Sequence, residues 1–297
     1  MNKFICIYKS VDKALDKLIE DNAKEYLKEH KKQSWYVVAL EGYKKITRSM
    51  LELLKEQSKD YGKAIEGKKL FNKKIKKNDE DINDDINDDI KEVLENITKS
   101  FIENLEDFYD EEITTSSMLL AAKASAEELD LKFNFNKYNK FTKKYLESKK
   151  IEWAKQVAET TENRVKELLV KGFQEGLGSY DIAESIYEDA VFSYNRAEAI
   201  ARTEIIGSCN YADYSMWQLD DDVYAKKWSS TGDGRTRLNH SLADGQIRKL
   251  NEPFDVGGEK LMYPLDGSLG AGAGNIVNCR CTMFYLTKEE YKKEKGI

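Results

Sequence analysis

Hydrophobic positions recur at intervals of three and four residues along the first two thirds of the chain, which is typical of amphipathic helices. Val11, Ala14, Leu15 and Leu18 begin the pattern, and a second run extends over residues 37–54. The Lys, Glu and Leu residues between these positions favour helix intrinsically. We therefore predict amphipathic helices through segment 9–77.

A charged segment follows, with lysines concentrated in residues 59–77 and acidic residues in 79–92. Apolar residues recur every fourth position from Ile82 to Leu94, which places one stripe on a helix. The spacing of the acidic residues from Asp81 onward also fits a calcium loop, but an EF-hand needs glycine at its sixth position, which is Ile86 here. We favour a solvated acidic helix face over a calcium site.

The central part of the chain carries the same helical spacing. Residues 141–171 predict one long helix or two, and glycines from Gly172 onward end it. Ser179 is a suitable N-cap for a short helix over 180–187. A further helix is predicted over 194–218, and its small residues allow close packing against a partner helix.

The pattern changes after residue 222. Apolar and polar residues alternate from Val223 to Trp228, which predicts a strand, and 276–286 reads as a second strand. The glycines at 257–258 and 267–274 predict loops between them. The fold class is therefore mainly α, with a long helical N-terminal and central region followed by a small α+β, turn-rich C-terminal module.

These changes predict four parts of the chain. Residues 1–139 form a helical N-terminal region with the charged segment near 59–92, and 140–221 form a central helical part. Residues 222–288 form the C-terminal module, and 289–297 form a charged tail.

Composition narrows the function classes. The chain has 297 residues, of which 34% are charged, and its net charge is −6. No apolar run approaches the roughly 20 residues that span a bilayer, and no secretory apolar segment follows the N-terminus. The negative net charge gives no overall footprint for binding a polyanion. Four cysteines in a chain of this length predict reduced thiols in a cytoplasm rather than a disulfide framework.

The C-terminal module collects the residues that can bind a metal ion. Cys279 and Cys281 are two positions apart, so a strand would present both sulfurs on one face. His240 can add an imidazole and an aspartate can complete a tetrahedral site, which would hold together a module with little core of its own. The alternative is two half-buried thiols with no metal. The predicted structural set is His240, Cys279, Cys281 and Asp244, with Asp233 and Asp266 as other candidates for the fourth ligand.

Two further groups of residues carry polar chemistry. Asp233 begins a turn that leads into a helix, and Arg235 and Arg237 can bind a phosphate or carboxylate bidentately or form salt bridges within the module. Arg202, with Thr203, lies on the helix predicted over 194–218. In one interpretation these residues serve only the packing of the helix. In the other they make a polar contact with the C-terminal module.

No catalytic constellation is present in the sequence. It lacks a Gly-x-Ser-x-Gly elbow, a phosphate-binding loop and a His-Glu-x-x-His motif. Acid–base chemistry by histidine would depend almost entirely on His240.

Three blocks together resemble the phage Mu F-like family of minor head, or head morphogenesis, proteins. They are residues 196–204, 228–245 and 278–281, and the resemblance extends over about 140–287. Relatives often carry a second cysteine pair after the Arg-Thr block, where this chain has His240 instead. The residues that match the family motifs are Arg202, Thr203, Glu204, Trp228, Asp233, Arg235, Thr236, Arg237, Gly245 and Asn278.

The resemblance implies a non-enzymatic component of a phage or prophage virion. Such a protein binds the portal, capsid or scaffold proteins inside the head and assists head morphogenesis and DNA packaging or delivery. The lysine-rich residues 59–77 could contact packaged DNA, although we favour a solvated face there. The resemblance implies no membrane and no small-molecule substrate. The implied location is the virion, near the portal, with assembly in the host cytoplasm, and the implied cofactor is at most one structural zinc.

Two alternatives stay open. One is a toxin-like enzyme, either a nuclease or an ADP-ribosyltransferase-like protein, since residues 229–231 resemble the Ser-Thr-Ser strand of the transferases. The Glu-x-Glu that would carry that chemistry does not follow at a suitable strand. The other is a helical binding protein whose C-terminal cap is stapled by a metal.

Overall fold

A computed structural model describes the architecture of the chain. It describes residues 36–70, 86–110, 113, 118–131 and 135–297, with only the backbone at 36–42, 44, 135–146 and 148. Residues 71–85, which contain the end of the lysine-rich segment and the start of the candidate calcium loop, lie outside these residues. In the described part, no helix is both long and apolar enough to cross a bilayer.

Helices make up most of the described chain, as the sequence predicts. The helices before the sheet are α1 (Tyr36–Ile65), α2 (Asp88–Phe108), α3 (Leu119–Glu128), α4 (Phe135–Glu175), α5 (Ser179–Tyr187) and α6 (Tyr194–Trp217). The elements after them are β1 (Val223–Ser229), α7 (Leu238–Ala243), β2 (Ile247–Lys249), β3 (Phe254–Val256), β4 (Glu259–Leu261), α8 (Ala273–Ile276), β5 (Thr282–Thr287) and α9 (Lys288–Lys295). The fold class predicted from the sequence is confirmed.

The chain divides into two compact units. We call residues 48–111 and 141–198 the helical unit, and the described residues up to 47, within 112–140 and from 199 to 297 the mixed unit. The four-part division predicted from the sequence stays a prediction.

Apolar stripes hold the helical unit together. On α2 the buried positions fall three or four residues apart, so they form one face of the helix. The Trp153 ring on α4 lies 6.1 Å from the ring of Phe108 and 5.2 Å from that of Tyr109, measured between centroids. The buried residues of α2 are Ile90, Leu94, Thr98, Phe101, Leu105 and Phe108.

Two local details of the helical unit differ from the sequence prediction. Ser179 is the first residue of α5 rather than its cap, because Gly178 precedes the helix in an extended conformation. The Gly178 N–H donates a 3.1 Å hydrogen bond to the Asp181 carboxylate, which satisfies an amide that the helix leaves open. Residues 141–171 belong to one continuous helix, α4.

The mixed unit contains a three-stranded antiparallel sheet in the order β2-β1-β5. A separate hairpin joins β3 to β4 through Gly257 and Gly258, whose φ angles are +63° and +90°. Positive φ at both central residues is what a two-residue hairpin loop requires, and glycine adopts it without steric cost. The hairpin lies beside the first turn of α7, where a Cβ at position 257 would clash with the Asn239 side chain.

A lysine is fully buried in β1. The Lys226 ammonium donates a 2.7 Å hydrogen bond to the Leu250 carbonyl and lies 4.7 Å from the centre of the Tyr214 ring. Burial lowers the pKa of Lys226 to about 7, although Asp266 and Glu252 act in the opposite direction. The sheet therefore contains an ionisable group that the fold prefers in its neutral form.

The second predicted strand is wrong over its first half. Residues 273–276 form the short helix α8, and β5 begins only at Thr282. Asn278 adopts a left-handed conformation with φ +61°, so the chain turns there instead of running straight. Cys279 and Cys281 consequently lie in an irregular segment, which we call the cysteine loop (residues 278–281).

Candidate functional site

His240 and the two cysteines of the cysteine loop converge on one point. The His240 Nδ1 atom lies 3.3 Å from the Cys281 Sγ and 3.4 Å from the Cys279 Sγ. All three side chains are buried, and their ligand atoms lie within 4.8 Å of one another. The strand geometry expected from the sequence is absent, but the turn at Asn278 brings both sulfurs to the same place.

The spacing of these atoms fits a zinc-sized ion. Bonds of about 2.3 Å to sulfur and 2.1 Å to nitrogen in a tetrahedron imply nitrogen–sulfur separations of about 3.6 Å. The two observed separations, 3.3 and 3.4 Å, are a few tenths of an ångström shorter. Small outward shifts of the side chains would therefore accommodate the ion.

Asn275 fixes which nitrogen of His240 faces the sulfurs. Its amide nitrogen donates to the Val256 carbonyl at 3.1 Å and to the Glu259 carboxylate at 2.6 Å, so its oxygen must be the atom that faces His240. That oxygen lies 3.2 Å from His240 Nε2, which therefore carries the proton. The Nδ1 lone pair is left directed at the sulfurs, as in metal sites whose histidine is oriented by a second partner.

The two thiols differ sharply in acidity. The hydrogen bond from the Cys281 thiol lowers the pKa of the Cys279 thiol. The same hydrogen bond and the neighbouring sulfur raise the pKa of Cys281 far above its ordinary value. The pair therefore loses its first proton easily and its second with difficulty, unless a cation stabilises both thiolates.

Two N–H groups are directed at the sulfurs. The Cys281 amide donates to the Cys279 Sγ at 3.4 Å. The indole N–H of Trp228 is buried and has no hydrogen-bond partner in the described part of the chain. The nearby indole acts to lower the pKa of the Cys281 thiol, against the larger raising effect of Cys279. An indole N–H is a donor only, so this site suits a sulfur that carries negative charge.

No aspartate proposed as the fourth ligand joins this cluster in the described structure. Asp244 is exposed, and its carboxylate accepts a 2.7 Å hydrogen bond from the Ser230 amide. The two oxygens of Asp266 accept from the Met262 and Ser268 amides at 2.8 and 2.9 Å. Both carboxylates are bound to backbone amides outside the cluster, so the described protein ligands number three.

Asp233, the remaining candidate, holds the cysteine loop from outside. Its two oxygens accept from the Arg280 guanidinium at 2.7 and 2.8 Å, a bidentate pair. The hydrogen bond from Arg280 also holds the pKa of Asp233 well below its usual range. Because Arg280 stands between the two cysteines, this pair fixes the centre of the loop. The Arg235 side chain also contacts Asp233, with 3.3 Å between Nε and Oδ2.

Helix α6 holds both ends of the cysteine loop. The Thr203 hydroxyl accepts from the Asn278 amide at 2.9 Å, and Arg202 donates to the Asn278 side-chain oxygen at 3.1 Å. About two helical turns further on, the Asn210 amide donates to the Cys281 carbonyl at 3.1 Å. The sequence leaves two alternatives for this helix. The structure contains the polar contact with the C-terminal module.

The other motif residues shape the surroundings of the loop. Gly245 has φ +71°, and its amide donates to the Trp228 carbonyl at 3.0 Å, which fixes the turn after α7. Arg237 donates to the Val277 carbonyl beside the loop. Thr236 donates to Asp233 at 3.0 Å. Glu204 is buried on α6.

Sequence reasoning missed three residues among the supporting contacts: Asn210, Asn275 and Arg280. Asn275 lies in a glycine-rich run that reads as loop, and Asn210 lies among small residues that read as helix packing. The signal available for Arg280 is its position between the two cysteines, where a long charged side chain needs a partner.

Part of the chain is similar to known proteins. Residues 163–284 match the family model described as "Phage Mu protein F like protein". The chain is 28% identical over 140 residues to the "Uncharacterized protein YqbB" of Bacillus subtilis (strain 168), covering 44% of this chain and 45% of that protein. No solved structure matches the chain significantly.

A second relative has an enzymatic name. The chain is 31% identical over 117 residues to the "NAD(+)--arginine ADP-ribosyltransferase EFV" of Enterococcus faecalis (strain ATCC 700802 / V583). The match covers 38% of this chain and 23% of that protein, so the chain spans less than half the length of either relative.

The matched region, 163–284, includes α6, His240 and the whole cysteine loop, and all three sequence blocks that suggest the family lie inside it. Residues 163–284 of the chain are therefore similar to the Phage Mu protein F like family.

Proposed function

We propose that this protein is a minor head protein of a phage or prophage, bound to the portal or the inner capsid, and that it assists head morphogenesis. The observation that carries the proposal is that the family match and the convergence of the three motif blocks on the cysteine loop concern the same residues. The motif residues hold the cysteine loop in place. This arrangement suits a rigid binding element.

The experiment is deletion of the gene in the phage or prophage that carries it. We expect the protein in mass spectra of purified wild-type heads, and a loss of infectivity of at least tenfold in the deletion strain that the intact gene restores. A gene carrying Asp244→Asn, which alters a carboxylate outside the cluster, is the matched control and should restore infectivity. Absence of the protein from purified heads and procapsids would refute the proposal.

We also propose that His240, Cys279 and Cys281 hold one structural zinc ion. The fixed histidine tautomer, the buried indole N–H and the atom spacings support it. When bound, zinc would stabilise both thiolates and tie α7 to the cysteine loop. Three described protein ligands leave one coordination position for water or another group.

Elemental analysis tests the zinc proposal. Protein purified without a histidine tag should contain close to one zinc per chain, because structural zinc binds near stoichiometrically. Cys281→Ser should lose it, whereas Cys209→Ser, at a buried cysteine of α6 outside the cluster, should keep it. Less than about 0.2 zinc or iron per wild-type chain would exclude a structural metal.

The second candidate is ADP-ribosyl transfer, favoured only by the name of the Enterococcus faecalis relative. The sequence contains no Glu-x-Glu. Pure protein incubated with NAD⁺ and an arginine-rich acceptor should release no nicotinamide above a protein-free control. Turnover that survives gel filtration would show that a head protein is not the whole function.

A further inference from the structure

An open cavity of about 140 Å³ lies above the cysteine loop, within the mixed unit. Its lining contains four arginines, Arg202, Arg235, Arg237 and Arg280, and no Asp or Glu among the described residues. Threonine hydroxyls and the Asn278 side chain complete the polar lining, and the two thiols form part of it. A concave site with four guanidinium groups is suited to an oxyanion.

Hydrogen bonds hold these arginines in place around the cavity. Arg280 and Arg235 both contact the carboxylate of Asp233. Arg237 donates to a backbone carbonyl, which is neutral. Arg202 donates to the neutral oxygens of Asn278 and Tyr43. Because the guanidinium groups are already oriented, an incoming anion would meet a preorganised site.

The rest of the surface argues against a polyanion as the ligand. The net charge of the chain is −6, so its overall charge opposes a polyanion at this small positive site. A single carboxylate on a protein brings far less negative charge.

Exposed apolar residues lie next to the same arginines along the chain. Leu238 directly follows Arg237 and is 73% exposed, and Leu242, one helical turn later on α7, is 76% exposed. Val277, whose carbonyl accepts from Arg237, is 46% exposed. His240 and Ala243 occupy the opposite, buried face of α7. A protein segment can cover such leucines, whereas a phosphate backbone cannot.

We propose that this cavity binds an aspartate or glutamate carboxylate of a partner protein, in a segment whose apolar side chains cover Leu238 and Leu242. The proposal deepens the head-protein function by naming the chemistry of the docking site, and in that sense rests on it. The carboxylate would accept hydrogen bonds from Arg237 and Arg235 at the cavity rim.

A peptide-binding experiment with the purified full chain tests it. The probe is a fluorescein-labelled ten-residue peptide of alternating leucine and glutamate pairs, followed by fluorescence anisotropy. The matched probe replaces every glutamate by glutamine. We expect the glutamate peptide to bind at least tenfold more tightly, because a charge-assisted hydrogen bond contributes about 1.5–3 kcal/mol, or roughly ten- to a hundredfold.

Variants locate the binding. Arg237→Gln and, separately, Arg235→Gln should each weaken binding of the glutamate peptide about tenfold, and Leu242→Ser about threefold. Arg248→Gln, on β2 and outside the cavity lining, is the matched control and should change binding less than twofold. The second arginine variant keeps the test valid if the first fails to fold, which circular dichroism would reveal.

Three results would overturn the proposal: equal binding of the two peptides, loss of binding in Arg248→Gln as large as in Arg235→Gln, or tighter binding of a 20-base-pair DNA duplex that depends on Arg235. The last would assign the cavity to nucleic acid. The assay uses only purified chain and peptide, so its failure is distinguishable from the absence of the protein in phage heads.

Discussion

The helical unit and the cysteine loop of the mixed unit are stabilised by different kinds of contact. In the helical unit a continuous apolar face on α2 and the ring contacts of Trp153 supply the core. The cysteine loop, which carries the candidate metal ligands, is held by hydrogen bonds with Thr203, Asn210 and Asp233. Apolar burial tolerates small shifts, whereas directional bonds fix atoms to within tenths of an ångström. A binding site benefits from the second kind of contact.

The largest expected effect is on the apolar core of the helical unit. Phe101 is 1% exposed on α2, so Phe101→Ala should lower the free energy of unfolding by about 3–5 kcal/mol through lost burial and a cavity. Urea denaturation measures the loss. Glu103→Ala, at an exposed position of the same helix, is the control and should cost less than about 0.5 kcal/mol. A cost below about 1 kcal/mol for Phe101→Ala would show that apolar packing does not dominate this unit.

The second effect concerns Lys226 and depends on pH. Its pKa is about 7 in the fold and 10.5 in the unfolded chain, so the unfolded state binds more protons between these values. Stability should therefore rise as the pH increases from 7 to 10.5, and the cost of charging Lys226 is fully present below pH 7. The magnitude is roughly 3–5 kcal/mol if the whole shift is realised.

Lys226→Met should remove this pH dependence. The variant should be about 1 kcal/mol more stable than the wild type at pH 6, because a buried ion replaced by an apolar side chain is often stabilising. Urea denaturation at pH 6, 8 and 10 gives the comparison. Lys227→Met, at the half-exposed neighbour on β1, should keep the wild-type slope. If the unfolding free energy of Lys226→Met depended on pH as in the wild type, Lys226 would not be the source of that dependence.

The third effect concerns the Asp233–Arg280 pair. Asp233→Asn leaves the Arg280 guanidinium, whose side chain is 8% exposed, without its charged partner. We expect a loss of about 2 kcal/mol, since breaking a buried charged pair from one side is costly while partial exposure reduces the effect. Hydrogen exchange by mass spectrometry should show faster exchange in residues 276–284 only. Asp244→Asn is the control, and equal exchange in both variants would contradict the assignment.

The smallest effect concerns Thr203. Thr203→Val preserves shape but removes the acceptor for the Asn278 amide, so we expect a loss of about 1 kcal/mol. Thr160→Val removes a comparable hydroxyl on α4 that bonds within its own helix. Exchange at the cysteine loop should increase in the first variant and not in the second. Faster exchange in neither would mean that α6 does not hold the loop through this bond.

The comparison also explains which features the sequence can predict. The helices follow from apolar spacing, which is local, and so does β1. The cysteine loop reads as a strand because Ile276, Val277 and residues 282–286 form one apolar-rich run. The turn at Asn278 that breaks this run depends on bonds from Thr203 and Arg202, about 75 positions away, and it has no local signal.

The candidate metal site also has residues that the sequence predicts and residues that it does not. His240, Cys279 and Cys281 can be selected by chemistry alone, since the chain has only two histidines and four cysteines. The fourth metal ligand cannot be selected in this way. Asp244, the predicted candidate, accepts a hydrogen bond from the Ser230 amide, and this contact depends on the turn after α7. Asn275 is oriented by hydrogen bonds to the Val256 carbonyl in the β3–β4 hairpin and to the Glu259 carboxylate. Their spacing in the sequence does not show that these groups lie close to Asn275.

The hydrogen bond between Thr203 on α6 and the Asn278 amide closes a long loop of the chain, residues 203–278. The entropic cost of such a closure grows only with the logarithm of its length, about 0.6 kcal/mol for each doubling. Insertions in this loop therefore add little to the entropic cost of closure, provided that they lie outside the hairpin and α7. Gly270 is exposed, and a Cβ added there would meet no atom within 4 Å, so evolution can lengthen the chain at this point without loosening the loop. Differences in length between relatives should accumulate there, and homologous sequences aligned on their motif blocks would reveal them.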